Sequence, residues 1–175
     1  MLKAMWLAAA ALAWVGPSFA ADPSAAAAAF RQSYFEPTIV PVVGGWAGED
    51  SAVATPSVER IMDADAWAAL WRRHAPRDQQ PKVDFAKDMV IAIFTGTVSA
   101  SLYGSHLETV TEDLAHIDLM SGLFLSDVIR DKMASLYLFV VLPRSTKSIT
   151  VYRRLSGIMM PVSDCKTIGE LAALH

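Results

Sequence analysis

One cysteine in 175 residues leaves the chain without a disulfide of its own. Cys165 has no second thiol to pair with, so a cystine framework and a multi-cysteine zinc ribbon are both excluded. Charge is scarce as well: 15 Lys and Arg against 18 Asp and Glu give a net charge of −3. A general nucleic-acid binder carries a basic stripe, and this balance argues against one. Catalytic signatures are missing too. The chain has no Gly-x-Ser-x-Gly elbow, no phosphate-cradling glycine loop, no His-Glu-x-x-His pair and no EF-hand loop. Cys165 with His175 is a poor thiol–imidazole pair, because nothing around it supplies an electropositive setting or an orienting partner. No catalytic residue and no cofactor is assigned. A free cysteine behaves as a small buried hydrophobe, so Cys165 is expected to be buried and inert.

Long hydrophobic runs reduce to one. Residues 4–15 carry no polar side chain, Lys3 precedes them, and Gly16 and Pro17 break the run. Small residues at Ser18, Ala20 and Ala21 then suit cleavage, which is the layout of a secretory signal peptide over residues 1–20. A membrane-spanning helix needs about 20 apolar residues, more than this run offers before its proline. The expectation is export to the periplasm or beyond, with cleavage after Ala20 or Ala21 and no stable membrane insertion afterwards. Of the first 20 residues, 16 are hydrophobic, so the overall 53% marks export rather than membrane residence.

Residues 21–56 form an extension rich in Ala, Pro and Gly, which reads as a short helix or a loose end followed by extended chain, with an edge strand over 38–43. A single β-rich domain is expected over 57–175. Residues 57–62 read as a strand. Asp63 or Asp65 then caps a helix over about 65–74, on which Trp67, Leu70, Trp71 and His74 share one face. Pro76 ends it. That face reads as core packed on a sheet rather than a ligand platform, and Arg72, Arg73 and Arg77 read as solvated surface. Residues 89–95 and 136–142 are apolar at both parities, the mark of strands covered on both sides. Residues 147–153 alternate, which predicts a half-exposed strand in a hairpin with the preceding one. Thr167 and Glu170 resemble a capping box, so residues 168–174 read as a short C-terminal helix. The fold class is α+β, mainly β: an antiparallel, sandwich-like sheet core with one packed helix and a short C-terminal one.

One constellation has the residue types for metal binding. A hairpin turning at residues 111–113, with Val110 opposite Leu114, sets Glu108 opposite His116 and His106 opposite Asp118. Imidazoles and carboxylates about 5 Å apart at Cβ suit a divalent metal such as zinc. The plainer account of the same four residues is a solvated face with opposite-charge pairs.

Residues 61–151 resemble the PrcB-type domain, the C-terminal domain of the protease complex subunit PrcB family. The resemblance rests on Ile61, Met62 and Asp63, on Trp67 and Trp71, and most on the run Val83-Asp84-Phe85-Ala86-Lys87-Asp88-Met89-Val90 that leads to Gly96. Pro143, Arg144 and Ser145 followed by Ile149 and Val151 resemble its closing hairpin. The chain departs from the pattern at Leu102-Tyr103-Gly104, where the family carries a double-glycine turn. The resemblance implies a secreted, β-rich, non-enzymatic domain that contacts another protein, a protease or an envelope component.

The contact surface expected from the sequence is a loop over 97–105, with Thr97, Ser99, Ser101, Tyr103 and Gly104 as its residues. Loops on a rigid sheet commonly carry contacts, and tyrosine is favoured at interfaces. The rival readings are a metal-dependent protein using the His106, Glu108, His116 and Asp118 patch, and a structural envelope component.

Overall fold

In the computed structural model, the residues described are 37–99, 102–125, 132–157 and 165–174. The signal-peptide reading and the alanine-rich stretch lie outside them.

Asp63 starts the helix. Its backbone is extended, and its carboxylate accepts the Ala66 N–H at 2.8 Å, a standard N-cap bond. Helix α1 (Ala64–His74) follows, and Ala75 closes it by donating to the Trp71 carbonyl at 2.8 Å. Asp65 sits in the first turn, where it complements the helix dipole instead of capping. Trp67, Leu70, Trp71 and His74 are all buried, as their spacing predicts. The indole N–H of Trp67 donates to Pro81 O at 2.9 Å and that of Trp71 to Asp78 O at 3.0 Å. These aromatics are therefore core with their polar ends satisfied.

The strands are β1 (Thr38–Ile39), β2 (Gly44–Gly48), β3 (Pro56–Ile61), β4 (Asp88–Ser99), β5 (Leu102–Glu112), β6 (His116–Leu125), β7 (Met133–Pro143), β8 (Ser148–Gly157) and β9 (Lys166–Leu171). They form two sheets, ordered β2-β7-β4-β3 and β1-β5-β6-β8-β9. The chain is thus mainly β with one helix. The stretch before residue 57 supplies β1 and β2 and two buried valines, Val40 and Val53.

Both faces of the four-stranded sheet are covered. Met89, Ile91 and Ile93 of β4 and Leu138, Val140 and Leu142 of β7 share one apolar cluster with Val110, Ile117, Leu119, Ile149 and Val151 of the other sheet. On the opposite face Val90, Ala92, Phe94, Phe139 and Val141 pack against Trp67, Leu70 and Trp71 of α1. This explains why residues 89–95 and 136–142 carry apolar side chains at both parities. Each such side chain contributes about 1.5–3 kcal/mol on full burial. Between Phe94 and Thr97 the β4–β7 register shifts at Gly96, whose φ of 68° is one a side chain rarely tolerates.

Three expectations fail here. Strand β8 does not form a hairpin with β7. It lies in the other sheet, parallel to β6, with Ile149 beside Ile117 and Val151 beside Leu119. Alternation sets which face of a strand is buried but not which neighbour it takes. The crossing is pinned at Arg144, whose N–H donates to Lys87 O at 2.7 Å and whose Nη1 reaches Met62 O and Phe85 O. The sheets are therefore not wholly antiparallel. The C-terminal helix is absent: residues 166–171 form β9, antiparallel to β8. A seven-residue helix is marginal alone, whereas the strand pairs along β8 with one register shift, between Val151 and Tyr152. Finally, Cys165 is exposed, with its sulfur 2.9 Å from the Met120 sulfur. It stands just before β9, at the edge of the five-stranded sheet.

Candidate functional site

Asp113 decides the β5–β6 hairpin. Its Oδ1 accepts the N–H groups of Ala115 and His116 at 2.8 and 2.7 Å, and its own N–H donates to His116 O at 3.0 Å. Those two backbone bonds hold its carboxyl below the usual aspartate range, with His116 and Lys147 adding to the effect. The turn therefore falls at residues 113–115, and Val110 faces Leu119 rather than Leu114. An aspartate closing its own backbone turn outweighs the face pattern that favoured a turn at 111–113.

This register separates the expected metal ligands. His106 lies opposite Gly122, with its ring over that glycine and its Nδ1 3.0 Å from Gly104 O. Glu108 forms an ion pair with Arg154 at 3.0 Å. His116 and Asp118 are neighbours on β6: Nε2 and Oδ1 are 3.1 Å apart, and His116 Nδ1 is 2.7 Å from Ser148 Oγ. Asp118 Oδ1 nevertheless has no aligned hydrogen-bond donor. The adjacent Tyr152 phenol is pushed up, by desolvation first and then by the Asp118 carboxylate. Among the described residues no group of three or more His, Cys, Asp or Glu is placed to hold a metal ion. The four-residue patch thus loses its geometric basis.

The expected contact loop is mostly strand. Thr97 and Ser99 belong to β4 and face Ser135 and Met133 of β7. Ser101 lies outside the described residues. Tyr103 is on β5 opposite Phe124, and Gly104 follows, exposed, with a φ of 69°. Polar Thr and Ser around Val98 read as a loop, but such residues also suit an exposed strand. The two strands run to within two residues of each other, Ser99 and Leu102.

Among the described residues, strand β5 then presents an open edge. Strand β1 pairs only with Thr111 and Glu112, and the Val40 N–H adds one bond to Val110 O. Among the described residues no strand lies beside residues 102–109 on that side. His106, Glu108 and Thr109 are exposed along it.

A second polar centre has no sequence signal. His74 and Ser51 are both buried, with Nδ1 and Oγ 2.9 Å apart, and Ser51 Oγ also accepts the Val53 N–H at 3.1 Å. The imidazole is ringed by Tyr137, Phe139, Trp71 and Phe94 at centroid distances of 4.2, 4.9, 5.1 and 5.9 Å. Burial lowers its pKa, against a smaller upward pull from Asp50 and Asp78. His74 was legible only as the last residue of a helix face. Its partner comes from the stretch that reads as extended chain. A hydroxyl and an imidazole sealed under aromatic rings form a structural bond rather than an accessible nucleophile.

In comparisons with known proteins, no family model, no curated protein and no solved structure matches the chain. Among the described residues no helix is long and apolar enough to cross a membrane.

Proposed function

We propose that the chain is an exported, non-enzymatic binding or accessory domain that contacts another envelope protein. Residues 1–20 support export, and the resemblance to the PrcB-type domain supports a protein partner, a protease or its neighbour among the candidates. In this reading the two sheets form a sandwich-like scaffold, and the contact is made by the edge of β5 around Tyr103 and Gly104.

The observation that carries the proposal is the open run of β5 over residues 102–109. An uncovered strand edge offers a row of backbone donors and acceptors to an extended segment of a partner. The backbone bonds supply affinity, and side chains along the strand supply selectivity. Short edge strands and charged residues are the usual defences against such pairing. Here β1 covers only the last residues of β5.

The test is recovery of a partner from the native envelope fraction with a tagged full-length chain. One enriched protein is expected, and its yield should drop with Tyr103→Ala and with Thr109→Lys, which places a charge on the edge. Equal recovery by the parent and both variants, or no enriched protein, would count against the reading.

A further inference from the structure

Strands β8 and β9 bring Arg153 and Lys166 directly opposite each other. Like charges in that relation repel, so a pair of this kind calls for a compensating anion. Several other cations meet carboxylates, Arg73 with Glu59, Lys147 with Glu112 and Arg154 with Glu108, while Arg60 and Arg144 donate to backbone carbonyls. Among the described residues neither Arg153 nor Lys166 has an acidic partner within ion-pair distance or a side-chain hydrogen bond.

Arg153 is also drawn inward. Strand β8 pairs with β6 without a register shift, so Arg153 points to the same side as Ile149 and Val151, both in the shared core. Burial lowers the guanidinium pKa with no nearby charge to offset it. A guanidinium does not lose its proton in a protein, so this desolvation falls on a cation that remains charged.

The two cations line a cavity of about 330 Å³ between β3 and β9. Ser57 and Thr167 also line it, the Ser57 hydroxyl donating to Glu59 at 3.1 Å, and Val58 and Ile168 add apolar wall. That volume is at the lower end of small-molecule sites. We infer that this cavity binds a small organic anion, with Arg153 and Lys166 gripping its oxygen-bearing group and Val58 and Ile168 packing on its carbon body. A phosphate monoester and a carboxylate share the chemistry required, and arginine suits both through paired N–H donors. The site is separate from the β5 edge and stands independently of the partner reading.

The experiment is titration calorimetry and thermal unfolding of the full chain with inorganic phosphate, phenyl phosphate and benzoate at constant ionic strength. Saturable binding of at least one organic probe is expected, with a matching rise in unfolding temperature. Phenyl phosphate ahead of benzoate would assign a phosphate ester, and the reverse order a carboxylate. Arg153→Gln and Lys166→Gln should each weaken binding by about tenfold or more, with Arg153→Lys retaining part of it. The ligand-free unfolding temperature of Arg153→Gln should equal or exceed that of the parent, because a repulsion is relieved. The inference is overturned if no probe saturates, if the variants bind as the parent does, or if ligand-free Arg153→Gln loses stability as a core variant would.

Discussion

His74 Nδ1 and Ser51 Oγ, 2.9 Å apart, tie the end of the helix to the segment between β2 and β3 inside an aromatic cage. Burial lowers the imidazole pKa, so the folded protein holds it neutral. The unfolded chain takes a proton near the ordinary histidine value of about 6.5. Below that pH the unfolded state binds more protons than the folded state, and stability falls. It is fully present above the unfolded value, declines as pH drops toward the lower folded value, and then levels. Urea midpoints between pH 7.5 and 5.5 should fall for the parent. His74→Leu should flatten that dependence while lowering stability throughout. An unchanged slope in His74→Leu would place the titration elsewhere.

Two aspartates at the start of α1 have different roles. Asp63 accepts the Ala66 N–H, and Asp65 only faces the helix dipole. Asp63→Ala should cost about 1 kcal/mol, and Asp65→Ala about 0.3–1 kcal/mol, diminishing with added salt. Chemical denaturation at low and high salt separates the two. A larger loss for Asp65→Ala would reverse the cap assignment.

Much of the framework was legible because local and tertiary demands agree. The four residues from Trp67 to His74 recur at helical spacing, Asp63 starts the helix and Pro76 follows it. The two-sided apolar runs of β4 and β7 state that both faces are covered. Neighbour choice was not legible. Ile149 and Val151 need a core face, and either sheet meets that need. The β5–β6 register was lost for a local reason, since Asp113 closes its own turn and moves every pairing. Of the site, Tyr103 and Gly104 were read as part of a loop because Thr and Ser surround Val98 and a glycine follows. They lie on a strand edge rather than at a loop tip. Arg153 opposite Lys166 was invisible because β9 read as helix.

Gly169 distinguishes strand from helix at the C-terminal end. A Cβ there would meet Val58 Cγ2 at 2.6 Å and Val58 Cβ at 2.7 Å. Gly169→Ala should therefore destabilise by about 1–3 kcal/mol through overpacking. In a helix the same change would stabilise by about 1 kcal/mol. The double variant Val58→Ala, Gly169→Ala should recover part of the loss, giving a coupling measurable by a double-mutant cycle. Additive losses would contradict the contact.

The central claim is that residues 102–109 of β5 meet another protein. The most direct measurement is site-specific photo-crosslinking in the native envelope. A photoreactive residue replaces Thr109 on the edge or Arg72 on the exposed side of α1. The account predicts one discrete crosslinked protein from position 109 and none from position 72. No product at 109, or equal products at both positions, would contradict it.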